Sequence, residues 1–184
     1  MRNKISKLHT DSGDTLEEHQ EITNELTRHF SKLLTKPNHE RQEDICRVTQ
    51  RIPSLVNNEH NRSLMQPISM QEVKAAVEQM VEGTSLGSNG FTIDFFLHCW
   101  NLLKDEVLEL VEESRKNKWI LPALNATHLV LIPKEIGASH PGKFHPISLC
   151  NVIYKIISKM VANRMKPLLP LLISPEQSGY VEGR

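Results

Sequence analysis

Aromatic residues make up only 5% of the 184-residue chain, so a large core would have to be built from aliphatic side chains. No apolar run approaches the roughly 18 residues that would span a membrane. The opening stretch, MRNKISKLHTDSGD, holds no apolar signal core. An intracellular chain without a membrane partner is expected, its compartment otherwise unspecified. The three cysteines (46, 99 and 150) are far apart and lack paired Cys-x-x-Cys spacing, which points to buried thiols rather than a zinc site. The nine histidines are scattered. Neither a His-Glu-x-x-His element nor a P-loop nor a Gly-x-Gly-x-x-Gly element occurs, so metalloprotease and mononucleotide-fold readings find no support. After Asp105 there is no aspartate at all.

What is present describes a folded chain, 39% hydrophobic and 24% charged, long enough for one domain or for a domain with an appendage. Net charge is zero, yet unevenly spread. Residues 119–184 carry seven Lys or Arg against three Glu, leaving 15 basic and 19 acidic in residues 1–118. A basic C-terminal third suits phosphates, and it equally suits an ordinary solvated face.

The periodicity is mainly helical. Thr15 and Glu18 have capping-box spacing ahead of Ile22, Leu26, Phe30, Leu33 and Leu34, with Pro37 as the stop. A shorter pattern runs through Ile45, Val48 and Ile52 to Pro53, and NNEHNRS (57–63) then reads as a polar break. At 68–72 the start signal is fuller. Ser69 is the N-cap, Glu72 completes the box, and Ile68 staples onto Val73, opening a stripe through Ala76, Val77 and Met80.

The glycine-rich loop GTSLGSNGF (83–91) precedes a long helical stretch from Phe95 to Val111, and Pro122 marks a turn. HLVLI (128–132) is a short continuous apolar run, expected to be a buried strand, with a loop after it. From His145-Pro-Ile-Ser onward a helix of about five turns is expected. Its stripe is Leu149, Val152, Ile153, Ile156, Ile157, Met160 and Val161, with Pro146 near the start, Pro167 as the stop, and Asn151, Lys155 and Asn163 on other faces.

Four blocks stand in order: PISMQEVKAAVEQM, LGSNGFTIDFFLHCW, LIPK, and FHPISLCNVIYKIISKMVANRMKPLLPLLISPEQSGYVEGR. Together they resemble the front half of a non-LTR (LINE-type) retrotransposon reverse transcriptase, most like the plant elements. The match covers about residues 64–184, and residues 1–63 resemble the linker that precedes the polymerase. The resemblance implies an α+β, predominantly helical fold: the partial fingers region of a right-hand polymerase with the start of the palm, the palm itself incomplete. Residues 1–63 would form a helical arm.

It further implies that Lys134 of LIPK and His145, the latter where the family has arginine, face the incoming nucleotide triphosphate. Gly87, Gly90 and Phe91 match the family's glycine loop, whereas Thr84, Leu86, Ser88 and Asn89 stand where lysine, proline, proline and aspartate are expected. A functional loop and a plain turn between helices are both open readings there. The intact family uses magnesium held by palm aspartates. No such residues follow Asp105, so no catalytic residue, metal or cofactor is assigned to the chain, and a truncated, inactive remnant is expected. Its expected partners are an RNA or DNA template backbone and a second copy met through an uncovered apolar face. A non-catalytic nucleic-acid-binding or helical interaction module is the alternative.

Overall fold

The computed structural model describes residues 4–35 and 42–177. Pro37 and the end of the last block, SGYVEGR (178–184), lie outside them. The elements are mixed helix and strand, mostly helical, and fall into two compact units.

The first unit comprises Met1–Ile52 and Leu129–Ser148. Strands β1 (Leu8–His9) and β2 (Thr15–Leu16) pair antiparallel, Leu8 opposite Leu16. Thr15 is therefore part of a strand. Its hydroxyl meets His9 Nδ1 at 3.0 Å, and the expected Thr15–Glu18 capping box does not form. Helix α1 (His19–Leu34) starts without a side-chain cap. Its apolar face buries Ile22 and Phe30 against Leu8 and Phe144, but Leu33 and Leu34 at its end are exposed. Helix α2 (Gln42–Thr49) leaves Ile45 and Val48 exposed, and Ile52 just beyond it is exposed too.

Strands β3 (Thr127–Pro133) and β4 (Phe144–Cys150) pair in the other two-stranded sheet. The run at 128–132 is a strand as expected, but a largely exposed one. The larger correction concerns His145-Pro-Ile-Ser, which lies within β4 and does not open a helix. A residue preceding proline is pushed towards extended backbone, and a two-stranded sheet has only edge strands, where the missing N–H of Pro146 costs no ladder bond.

The second unit comprises Pro53–His128 and Leu149–Arg184. NNEHNRS is no break: α3 (Asn58–Leu64) is capped by Asn57, whose side chain accepts from the backbone of Glu59 and His60. Helix α4 (Met70–Glu78) begins as expected, with Ser69 and Glu72 bonding reciprocally. The long helix expected from Phe95 is two, α5 (Ile93–His98) and α6 (Trp100–Asn117), separated at Cys99. Then come α7 (Pro122–Asn125), α8 (Val152–Met165) and α9 (Leu169–Leu172). Helix α8 is 14 residues long; it stops at Met165, and Pro167 sits in a following 3-10 turn.

The core of this unit gathers Val73, Ala76 and Val77 of α4, Ile93 and Phe96 of α5, Val107 and Val111 of α6, and Val152, Ile153, Ile156 and Met160 of α8. Val161, expected on the same stripe, is 53% exposed. None of the three cysteines is buried: Cys46 is exposed, Cys99 and Cys150 are half-buried, and all are free.

Two arginine–glutamate pairs fasten the segment before α4. Arg164 donates to the carbonyls of Leu64, Gln66 and Pro67 at 2.7–3.1 Å and to both oxygens of Glu72. Arg115 donates to Met65 O and bidentately to Glu112, whose carboxylate also accepts from Ile68 N–H. These charge-assisted bonds favour the ionised carboxylates. Hydrogen bonding from Arg115 holds Glu112 down at about 2, and that from Arg164 holds Glu72 below the usual glutamate range.

Candidate functional site

Two groups of side chains carry the chemistry that the sequence singled out, one in each unit. In the first unit, β3 runs out at Pro133 and delivers Lys134 to the end of the hairpin, where its N–H donates to Lys143 O at 2.9 Å. The Lys134 ammonium donates to Gly142 O at 2.8 Å and remains exposed. His145 follows two residues beyond Lys143 on β4, also exposed. Lys143 is 3.1 Å from Glu135, the carboxylate at this end. The hairpin thus sets Lys134 opposite Lys143, a residue the sequence analysis counted only as charge, with His145 two residues farther along β4. Lysine offers a compact ammonium to a phosphate; a neutral imidazole offers one donor and no fixed charge.

In the second unit, the glycine loop between α4 and α5 is pinned to one buried side chain. Asn151 occupies the N-cap position of α8, yet its side chain does not cap that helix. It is 1% exposed, and its Oδ1 accepts from Asn89 N–H at 3.0 Å and from the Ser88 hydroxyl at 3.2 Å. Its Nδ2 donates towards the carbonyls of Ala123, Leu124 and Ala126 at 3.1–3.3 Å. One amide therefore joins the loop, the α7 segment and the start of α8. Lys155 adds a second tie, its ammonium 3.1 Å from Ser85 O.

Gly87 and Gly90 do different work in this loop. Gly87 is buried; a Cβ there would sit 2.5 Å from Asn151 Oδ1 and 2.6 Å from its backbone N and Cα. Gly90 instead has φ +77° with open space around it, and its N–H closes a turn onto Gly87 O. Phe91 is 45% exposed and packs on Phe95, ring centres 4.8 Å apart. Ser88 and Asn89, two of the positions that depart from the family pattern, supply the bonds to Asn151. The sequence analysis placed Asn151 merely off the apolar stripe. An asparagine directly after a strand and before a helix was the available signal, but its partners lie 25–63 residues away.

The chain aligns over 183 residues, its whole length, with the uncharacterized 149 kDa protein of transposon TX1 from Xenopus laevis, at 28% identity. It also aligns with the retrovirus-related Pol polyprotein of the type-1 retrotransposable element R2, at 30% identity over 106 residues in Bradysia coprophila and 27% over 120 residues in Nasonia vitripennis. The chain is similar to retrotransposon proteins. These alignments cover 57% of the chain for the first R2 protein and 65% for the second. The chain spans only 14%, 12% and 11% of the length of these three relatives. No family model matches it. Among the described residues no helix is long and apolar enough to cross a membrane, and no group of three His, Cys, Asp or Glu is placed to hold a metal ion.

Proposed function

We propose that residues 64–184 are the fingers and the start of the palm of a non-LTR reverse transcriptase of plant type, and that residues 1–63 are the linker before it. Lys134 and His145 would face the phosphates of a nucleotide or a template strand. The observation that carries this reading is the hairpin end, where Lys134 of the LIPK block pairs with Lys143, two residues before His145 of the FHPISL block. Similarity along the whole chain to a transposon protein supports it independently.

In this reading the residues bind and position; they do not polymerise. Phosphoryl transfer of this kind uses two metal ions held by paired carboxylates, which activate the attacking hydroxyl and stabilise the leaving oxygen. The sequence offers no aspartate after Asp105, and its last third carries only Glu135, Glu176 and Glu182. Glu135 is already engaged with Lys143. In this reading none of the 184 residues is assigned to magnesium.

The test is binding of single-stranded RNA to the whole chain across a salt series. Each phosphate contact to a single strand contributes roughly 0.7 to the slope of log K against log salt. Lys134→Ala should lower that slope by about one contact and weaken binding several-fold, whereas His145→Arg should tighten it. Binding indifferent to salt and to both substitutions would sink the reading. Templated incorporation of nucleotide by the 184 residues, lost in Lys134→Ala, would overturn the inactive assignment alone.

A further inference from the structure

The loop between α4 and α5 carries a covalent reactivity besides the contacts that hold it. Asn89 precedes Gly90, and no other asparagine in the sequence precedes a glycine. An asparagine in this position can close on itself: the next backbone nitrogen attacks the side-chain amide carbon, and a residue without Cβ leaves that approach unhindered. Both residues are exposed, and a Cβ on Gly90 would point into open space.

Three hydrogen bonds decide how the pair is held. Asn89 Oδ1 accepts from Phe91 N–H at 3.3 Å, an Asx-turn in which the side chain lies back over the Gly90 peptide. The same bond sets a backbone donor on the oxygen that becomes negatively charged when the amide carbon is attacked, which lowers the barrier to that attack. Asn89 N–H donates to Oδ1 of the buried Asn151 at 3.0 Å, so the reacting residue is anchored on its N-terminal side. Gly90 N–H donates to Gly87 O at 3.2 Å, the long end of the ordinary range. That bond has to open before the Gly90 nitrogen can lose its proton.

We propose that Asn89 is a self-modification site of the folded chain, converted to aspartate and isoaspartate through a succinimide formed with Gly90. Hydroxide removes the proton from Gly90 N, the nitrogen bonds to Asn89 Cγ, and the Cγ–Nδ2 bond breaks. Nδ2 leaves as ammonia, taking a proton from water. Water then opens the ring. Cleavage of the new Cγ–N bond leaves aspartate on an unaltered main chain; cleavage between the Asn89 carbonyl carbon and Gly90 N leaves isoaspartate, with the main chain routed through the former side chain. The sum is amide plus water to carboxylate plus ammonium, without oxidation or reduction. Isoaspartate adds a methylene to the main chain between the bond to Asn151 and the turn onto Gly87, so the two cannot both keep their present geometry. The inference goes beyond the polymerase reading and is independent of it.

Incubation of the whole folded chain in water enriched in heavy oxygen tests it, followed by trypsin digestion and fragment-ion mass spectrometry of the peptide 75–104. Heavy oxygen should enter at residue 89 well ahead of Asn101 in the same peptide, and both isomers should appear. The rate should rise with pH, because Gly90 N must be deprotonated. Asn89→Gln should abolish incorporation at that position, since the longer side chain would have to close a larger ring. The same incubation in concentrated guanidinium gives the rate of the unfolded chain. The folded rate should lie within about tenfold of it or above it, the Phe91 donor offsetting the opening of the Gly87 bond. A folded chain slower than that overturns the proposal, because the loop then protects Asn89. Incorporation at residue 89 no faster than at Asn101, or a rate indifferent to pH, overturns it equally.

Discussion

Gly87 lies against Asn151 so closely that a methyl group in its place would come within 2.6 Å of the asparagine backbone. Backbone cannot rotate away as a side-chain tip can, so Gly87→Ala should cost about 1–3 kcal/mol by overpacking. At Gly90 the space is open, and only the left-handed φ of +77° opposes a side chain. Gly90→Ala should therefore cost about 1 kcal/mol. Urea denaturation of the two variants checks the order, and a larger loss at Gly90 would contradict the close contact.

Asn151→Ala removes the partners of one backbone amide and up to three carbonyls at once. Each buried group left unpaired costs about 1–3 kcal/mol. Asn151→Asp keeps the acceptor for Asn89 N–H but sets a carboxylate facing carbonyl oxygens at a 1% exposed position. That variant should be most destabilised at neutral pH, where the carboxylate is ionised, and partly recover in acid. Denaturation at pH 7 and pH 5 separates the two effects. Equal losses at both values would mean that the donor side of the amide contributes little.

The two arginine–glutamate pairs give stability a pH dependence of definite sign. Glu112 falls from an ordinary value of 4.5 to about 2 in the folded chain, and Glu72 is lowered as well. A depressed carboxylate binds fewer protons when folded. Its contribution is complete above about pH 4.5 and is lost as pH falls towards 2. Glu112→Gln should flatten the acid limb of the stability curve, and an unchanged limb would exclude this pair as its source. Arg164→Lys should cost about 1–3 kcal/mol at neutral pH, because an ammonium cannot reproduce the planar fork that serves three carbonyls and Glu72.

Ile156 is fully buried in α8, whereas Val161 five residues later is half out. Ile156→Ala should cost about 2–5 kcal/mol, and Val161→Ala less than about 0.5 kcal/mol. Thermal denaturation of both variants measures the contrast. Similar losses would mean that the α8 stripe is covered along its whole length.

The signals read correctly in the sequence were local ones. Ser69 and Glu72 cap α4 because a capping box involves four consecutive residues and needs nothing from elsewhere. Thr15 and Glu18 show the limit of the same rule: Thr15 is drawn into β2 by pairing with His9, a partner the spacing could not reveal. His145-Pro-Ile-Ser misled for a related reason. The apolar stripe of α8 continues backwards onto Leu149 by coincidence of period, while pairing with β3 makes 144–150 a strand.

The candidate site divides in the same way. The resemblance of ordered sequence blocks marked Lys134, His145 and the glycine loop, because such blocks are read along the chain without any tertiary contact. Folding decided that Lys143 joins the hairpin end and that Asn151 holds the loop. It also left Ile45 and Val48 of α2, and Val161 and Met165 of α8, exposed. Capping and helical period are fixed by neighbours within about four residues, which the chain supplies to itself. The amide of Asn151 has its partners 25–63 residues away, and only tertiary packing brings them within 3.3 Å.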